Sequence, residues 1–268
     1  MQIVVASNIG FCFGVKEAVE KSKELLKAGF KVFTDDDIVH NKVVMNELRK
    51  LGLSFKDGEI FLVRAHGLPK EKIEKLSTKY KIEDLTCKIV YNLFWLAEKF
   101  EKQGYQVVVF GKPNHPEMIA IRSYAKNAIV SLEPVAVEAE KIALLSQTTM
   151  SVEEFEGFAN STKQISKFSE FLIKNTICNV TVSRENETKR IARQVDLLFV
   201  VGGKHSSNTK KLARIASQYT NVVHVETAKE ILETPSNVKS VGIVSGTSTP
   251  IEVVNKVVHR IKDLGGEQ

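Results

Sequence analysis

The sequence predicts an α/β protein assembled from three related units, and three observations carry that prediction. Short runs rich in Val, Ile, Leu and Phe alternate along the chain with apolar stripes of helical period, the pattern of strands joined by helices in a mostly parallel sheet. The only three cysteines, Cys12, Cys87 and Cys178, each stand directly before a helical pattern. Each is followed, 28 residues later, by a polar loop residue: His40, His115 and Ser206. The expected units are 1–86, 87–175 and 176–268, with the C-terminal helix able to pack back on the first. Every unit follows one plan of cysteine, helix, strand, polar loop, helix, strand and second polar loop. In parallel sheets ligands gather beyond the carboxyl ends of the strands, where these loops lie.

In chain order, Ile3–Ala6 reads as a buried strand, and Ser7-Asn8-Ile9-Gly10 as the turn that leads to Cys12. Val15, Ala18, Val19, Leu25 and Leu26 share one helical face, with Ser22 on the same stripe. Gly29 is placed to end that helix, residues 30–34 form a short strand, and Asp35–Asp37 form a solvated turn. A helix over about 42–50 leads to a strand at 60–63, which ends in Arg64-Ala65-His66-Gly67, and Pro69 opens the next helix. Beyond Cys87, the stripe Val90, Leu93, Phe94, Ala97 and Phe100 marks a helix that Gly104 ends. Strands at 105–110, 129–130 and 142–145 follow, and polar loops occupy 111–117 and 146–149. After Cys178 comes a polar helix through Arg184 to Gln194, then a strand at 197–201 that ends in Gly202–Asn208. One more helix, strands at 222–225 and 241–244, the loop Ser245–Pro250 and a terminal helix complete the chain.

Hydrophobic and charged fractions of 43% and 26% over 268 residues describe a soluble globular chain with a full core. The net charge of +6 suits an anionic ligand. Its lysines are scattered rather than gathered into a basic tract, which argues against nucleic acid. No apolar run approaches the length of a membrane span, and the first strand follows Met1 so closely that no signal peptide fits. A cytoplasmic location is expected, where three distant cysteines argue against a disulfide framework.

A thiol ahead of a helix meets unpaired backbone N–H groups and the positive end of the helix dipole, both of which favour the metal-binding thiolate. A lone cysteine is more often a small buried hydrophobe, but here the placement recurs three times. Structural zinc normally takes four ligands with a close pair, which is absent, as is the usual ferredoxin spacing. Three thiolates can still hold a cubane cluster that leaves one iron without a protein ligand. Neither a P-loop nor a G-x-G-x-x-G motif is present. The loops offer instead His40, Asn41, His66, His115, Thr148, Thr149, Ser206, Ser207, Asn208, Thr247 and Ser248. Singly these are commonly caps or turns, whereas together they form a donor-rich set suited to an oxyanion such as diphosphate. His224 and His259 fall outside the loops and are assigned to structure. Glu117, the only carboxylate close to the second histidine loop, is the best-placed proton donor. Three functional classes fit: an iron–sulfur reductase acting on a small diphosphate, an iron–sulfur sensor of a phosphorylated metabolite, and a zinc-dependent hydrolase. A positioned acid and the lack of an evident DNA-binding segment favour the first.

The residues also resemble a known family. Gly10-Phe11-Cys12-x-Gly14-Val15, Val39-His40-Asn41, Ala65-His66-Gly67, Thr86-Cys87, His115-Pro116-Glu117, Gln147-Thr148-Thr149, Ile177-Cys178, Ser206-Ser207-Asn208 and Ser248-x-Pro250 occur in the order found in 4-hydroxy-3-methylbut-2-enyl diphosphate reductases. The resemblance spans nearly the whole chain. It implies a pseudo-threefold trefoil of α/β domains around a central cavity, and a [4Fe–4S] cluster on Cys12, Cys87 and Cys178 with one open iron. It implies that His40, His66, His115, Ser206, Ser207, Asn208 and Ser248 bind the diphosphate, that Thr148 assists at the substrate hydroxyl, and that Glu117 delivers a proton. The family performs a two-electron reductive dehydroxylation, the last step of non-mevalonate isoprenoid synthesis, with electrons from ferredoxin or flavodoxin. Lys88, Asn114, Ala120 and His205 depart from the family's usual Pro, Gly, Gly and Asn, and none of them removes an implied ligand.

Overall fold

Eleven short strands, all paired in parallel, form three sheets among residues 1–233 and 237–265, which this computed structural model describes. The chain begins with β1 (Gln2–Val5), α1 (Phe13–Lys27), β2 (Val32–Phe33), α2 (Lys42–Lys50), β3 (Ile60–Val63), α3 (Lys70–Ser77) and β4 (Lys81–Asp84). It continues with α4 (Lys88–Lys102), β5 (Gln106–Phe110), α5 (Pro116–Tyr124), β6 (Ile129–Ser131), β7 (Lys141–Ser146), α6 (Val152–Ile165) and β8 (Glu170–Ile173). The last part holds α7 (Asn179–Ala192), β9 (Leu197–Val201), α8 (Ser207–Ala216), β10 (Asn221–Val225), β11 (Ser240–Ser245) and α9 (Ile251–Gly265). Parallel pairing requires a crossover between neighbours, and helices supply most of these crossovers.

The chain divides into two compact units, the first comprising Met1–Val19, Val39–Lys50 and Asn179–Gln268. Its sheet has the order β1-β11-β9-β10, so the N-terminal strand completes the sheet of the last third by pairing Gln2–Val5 with Ser240–Ile243. The central strands read as continuous apolar runs because helices cover both faces. Leu197, Phe199, Val201, Val241 and Ile243 pack against Val253, Val254, Val257 and Ile261 of α9. The alternate residues Leu198, Val200 and Val244 pack against Ile191 and Ala192 of α7 and Leu212 and Ala216 of α8.

The second unit, Glu20–Ile38 with Leu51–Cys178, holds the sheets β2-β3-β4 and β6-β5-β7-β8. The predicted stripe of α4 is buried with Val107, Val109, Ala143 and Leu145. Phe110 points the other way, to Phe155 and Phe158 of α6, with ring centroids 6.3 and 4.9 Å away. In the smaller sheet Phe33 meets Phe61 and Tyr80 edge-on at 5.2 and 4.7 Å.

Several elements differ from the sequence reading. The strand expected at 30–34 is confined to Val32–Phe33. Strands β4 and β8 and helix α6 were not anticipated. Lys81-Ile82-Glu83-Asp84 and Glu170-Phe171-Leu172-Ile173 are edge strands, only half buried, and they lack the continuous apolar run of a central strand. Asp35 and Asp36 are exposed, as expected of a solvated turn, and they also form ion pairs with Lys72 and Arg64 respectively. Among the described residues no helix is long and apolar enough to cross a membrane.

Candidate active site

In the first unit the loops at the carboxyl ends of the strands are stitched to one another. The backbone N–H of Cys12, one residue before α1, donates to the Thr247 carbonyl at 2.9 Å, and that of Gly10 donates to Ser245 Oγ at 3.1 Å. Thr247 and Ser248 are thereby brought to the Cys12 loop. The Ser248 hydroxyl donates to the His40 carbonyl at 3.5 Å. The same carbonyl lies so close to Gly203 that a Cβ there would stand 2.4 Å away, so the loop after β9 needs a glycine to pass. Asn41 then caps α2, its Oδ1 accepting from the N–H groups of Val43 and Val44 at 3.0 and 3.2 Å. Ser206 caps α8 by accepting from Thr209 N at 3.3 Å. In the first turn of α8, Asn208 is buried, and neither end of its amide has a hydrogen-bond partner among the described residues. A native side chain in that state is an exception to the rule that buried polar groups are paired, and a bound oxyanion would satisfy its donor.

The second unit brings together Cys87, Cys178, His66, His115, Glu117 and Thr148. Cys87 is the residue ahead of α4, and its N–H donates to Ala65 O at 3.0 Å, beside the His66 loop. The His66 and His115 rings meet edge-on at 5.5 Å. His115 caps α5, its Nδ1 accepting from Glu117 N at 3.2 Å, and Pro116 supplies the first helical residue. Glu117 is buried, and its two carboxylate oxygens accept from Thr148 N at 2.8 Å and Thr148 Oγ1 at 2.9 Å. The carbonyl of that threonine accepts from Cys178 N at 2.9 Å. Burial pushes the Glu117 carboxyl up to about 7, against the two Thr148 hydrogen bonds that favour its charged form.

The helix start does not make Cys87 a ready thiolate. Burial raises its thiol, the N–H groups of Ile89 and Val90 pull the other way, and negative charge at Cys178 and Glu117 adds to the rise. None of the three cysteines is in a disulfide.

Two groups of supporting residues were not singled out from the sequence. Gln147 accepts from Lys112 N through Oε1 and donates from Nε2 to Thr149 Oγ1, both at 3.0 Å, bracing the 111–117 loop. On α7, Arg184 and Glu187 grip the loop before Cys12. The first was visible as a polar residue at the end of an apolar strand. Arg184 and Glu187 gave no signal, because their partners are mostly backbone groups far away in sequence. His224, assigned to structure, contacts the Gly202 carbonyl through Nε2 at 3.0 Å.

Comparison with known proteins extends over the whole chain. A LytB protein family profile matches residues 3–262. The 4-hydroxy-3-methylbut-2-enyl diphosphate reductase of Thermotoga maritima is 47% identical over 276 residues, covering 100% of this chain and 98% of its own. The reductase of the same name from Aquifex aeolicus is 36% identical, covering 98% and 97%. A solved structure of (E)-4-hydroxy-3-methyl-but-2-enyl diphosphate reductase, described as the terminal enzyme of the non-mevalonate pathway, matches with a TM-score of 0.72 at 34% identity, over 97% of this chain and 99% of that one. The E-1-hydroxy-2-methyl-but-2-enyl-4-diphosphate reductase of Plasmodium falciparum matches with a TM-score of 0.87 at 25% identity, over 96% and 87%. With a family profile spanning all but its ends and relatives aligned from end to end, the chain belongs to the LytB protein family.

Proposed function

We propose that this chain is a 4-hydroxy-3-methylbut-2-enyl diphosphate reductase. It takes up two electrons and two protons, breaks the allylic carbon–oxygen bond, and releases isopentenyl or dimethylallyl diphosphate and water. The observation that carries this reading, beside the end-to-end relatives, is Glu117: a buried carboxyl, raised to about 7, held on both oxygens by Thr148. A hydroxyl is a poor leaving group near neutral pH, and an acid that keeps its proton there is what the reaction needs.

The donor set fits an iron–sulfur cofactor. Its sulfur ligands stand half-buried at three helix starts without disulfides, and Cys87 lies close enough to Cys178 and Glu117 for their negative charge to raise its thiol, a set of anionic donors suited to a cationic group. Cys12, Cys87 and Cys178 would hold a [4Fe–4S] cluster with one open iron, which when bound supplies electrons and a Lewis-acidic metal. Glu117 gives its proton to the departing hydroxyl, and Thr148 fixes the carboxyl and aligns that hydroxyl. His40, His66, His115, Ser206, Ser207, Asn208 and Ser248 take the diphosphate oxygens. The unpartnered amide of Asn208 supports this assignment most directly. The electron donor is ferredoxin or flavodoxin, and the setting is the cytoplasm.

Anaerobic purification with metal, sulfide and visible-absorption analysis tests the reading. The expected result is a brown protein with near-equal iron and acid-labile sulfide that reduces the allylic diphosphate in a single turnover. A colourless protein containing zinc overturns it.

A further inference from the structure

Helix α7 faces its sheet with more than apolar side chains. Arg184, 4% exposed, extends a guanidinium whose Nη1 donates to the Ser245 carbonyl at 2.8 Å and whose Nη2 donates to the Gly10 carbonyl at 2.7 Å. One turn on, Glu187 accepts from Ser7 N and Ser7 Oγ at 2.8 and 2.7 Å and from Asn8 N at 3.0 Å, while Ser183 Oγ accepts from Asn8 Nδ2 at 3.1 Å. The loop that delivers Cys12 is therefore gripped at Ser7, Asn8 and Gly10, all from α7. The same guanidinium grips Ser245, three residues before Ser248. Only arginine offers a rigid, planar fork of donors that reaches two carbonyls at once. Burying a cation has a desolvation cost that a connecting loop, held by ordinary turn chemistry, does not require.

We infer that Arg184 is a positioning residue that locks the Cys12 loop to the Ser248 loop, so that a cluster ligand and a diphosphate ligand are held as one piece. The inference rests on the roles proposed above for Cys12 and Ser248. It makes thiol placement and anion affinity depend on a side chain that touches neither the cluster nor the substrate.

The test uses the full-length chain with Arg184→Gln and Arg184→Lys, and with Ile191→Ala as a comparably destabilised control in the apolar face of α7. In the metal-free protein, iodoacetamide alkylation of Cys12 and Cys87 is followed separately by mass spectrometry. Arg184→Gln should change the Cys12 rate about fivefold or more relative to Cys87, the scale of one lost hydrogen bond. Arg184→Lys, which retains the charge and one donor direction, should fall between. In Ile191→Ala the two rates should keep their wild-type ratio. In the iron-loaded protein, inorganic diphosphate affinity measured by calorimetry should fall about tenfold in Arg184→Gln, since two charge-assisted bonds are lost. An unchanged ratio of Cys12 to Cys87 in Arg184→Gln overturns the positioning role, and unchanged diphosphate affinity overturns the coupling to Ser248. Should Arg184→Gln fail to fold, Arg184→Lys carries both comparisons. A wild-type protein that takes up no cluster defeats the proposed activity instead, while the thiol measurement still decides the role of Arg184.

Discussion

Thr148 holds both oxygens of the Glu117 carboxylate, through its N–H at 2.8 Å and its hydroxyl at 2.9 Å. The two residues are 31 positions apart, at the start of α5 and two residues beyond the end of β7, and the neighbouring parallel strands β5 and β7 lead into both loops. Both bonds favour the charged carboxylate, yet burial outweighs them and leaves a group poised to hold or release a proton near neutrality.

Glu117→Gln retains size and hydrogen bonding but has no acidic proton. Single-turnover reduction of the allylic diphosphate by pre-reduced enzyme should slow by about 10²–10⁴. Iron content and substrate affinity should change little. Wild-type speed in this variant ends the proton-donor role.

The pH dependence follows from the raised carboxyl. Its acid form is lost as pH climbs through about 7, so the single-turnover rate should decline on the alkaline side. Thr148→Val removes a bond that favours the charged form, which raises the carboxyl further. The alkaline limb should then move up by about one pH unit, roughly what one charge-assisted hydrogen bond supplies. An unmoved limb means that another group sets the profile.

Stability carries the same signature with a definite sign. The folded value of about 7 exceeds the ordinary 4.5, so the native state binds more protons than the unfolded chain between those limits. The contribution of this group is therefore full below 4.5 and is lost as pH rises through about 7. Glu117→Gln, which cannot ionise, should match wild type at pH 4 and melt at a higher temperature at pH 8. Equal melting temperatures at pH 8 contradict the burial account.

Asn208→Ala separates binding from folding. Its amide has no hydrogen-bond partner among the described residues, so removing it should leave the melting temperature unchanged or slightly raised. Affinity for inorganic diphosphate should weaken about tenfold or more, as for one bond to a charged group. Ser206→Ala should weaken binding and also cost about 1 kcal/mol of stability, because it strips the cap from α8. A stability loss in Asn208→Ala with intact affinity would reverse its assignment.

Each of Cys12→Ser, Cys87→Ser and Cys178→Ser should lose most of the bound iron and nearly all turnover, since the chain holds no fourth cysteine. Full iron content in any one of them removes that cysteine from the ligand set.

Much of this architecture was written locally. Central strands such as Ile60–Val63 and Leu197–Val201 are apolar throughout because both faces are covered, and the α4 stripe needs only its own period to be seen. Edge strands β4 and β8 escaped because half burial relaxes that demand. Helix α6 escaped because Gly157, a poor helix former, lies within it and Thr162 occupies a buried position on its stripe. The candidate ligands were legible as loop residues, but their partners were not. Glu117 meets Thr148, and Arg184 meets Gly10 and Ser245, through topology rather than spacing. At Cys87 the helix-start N–H groups of Ile89 and Val90 favour the thiolate as expected, while the burial and negative neighbours that oppose them come from topology and were not legible locally.

The pairing of β1 with β11 has a consequence for how the protein is made. Among the described residues Gln2–Val5 has one strand neighbour, Ser240–Ile243, more than 230 positions later in the chain. At ordinary translation rates roughly 10–50 s separate the synthesis of the two strands. Throughout that interval the nascent N-terminal segment has no sheet to join, and Cys12 lacks both the Thr247 carbonyl and the Arg184 anchor that later fix its loop. Assembly of the proposed cluster on Cys12 would therefore be a post-translational event, because β11 must leave the ribosome before the first cysteine has a place to stand.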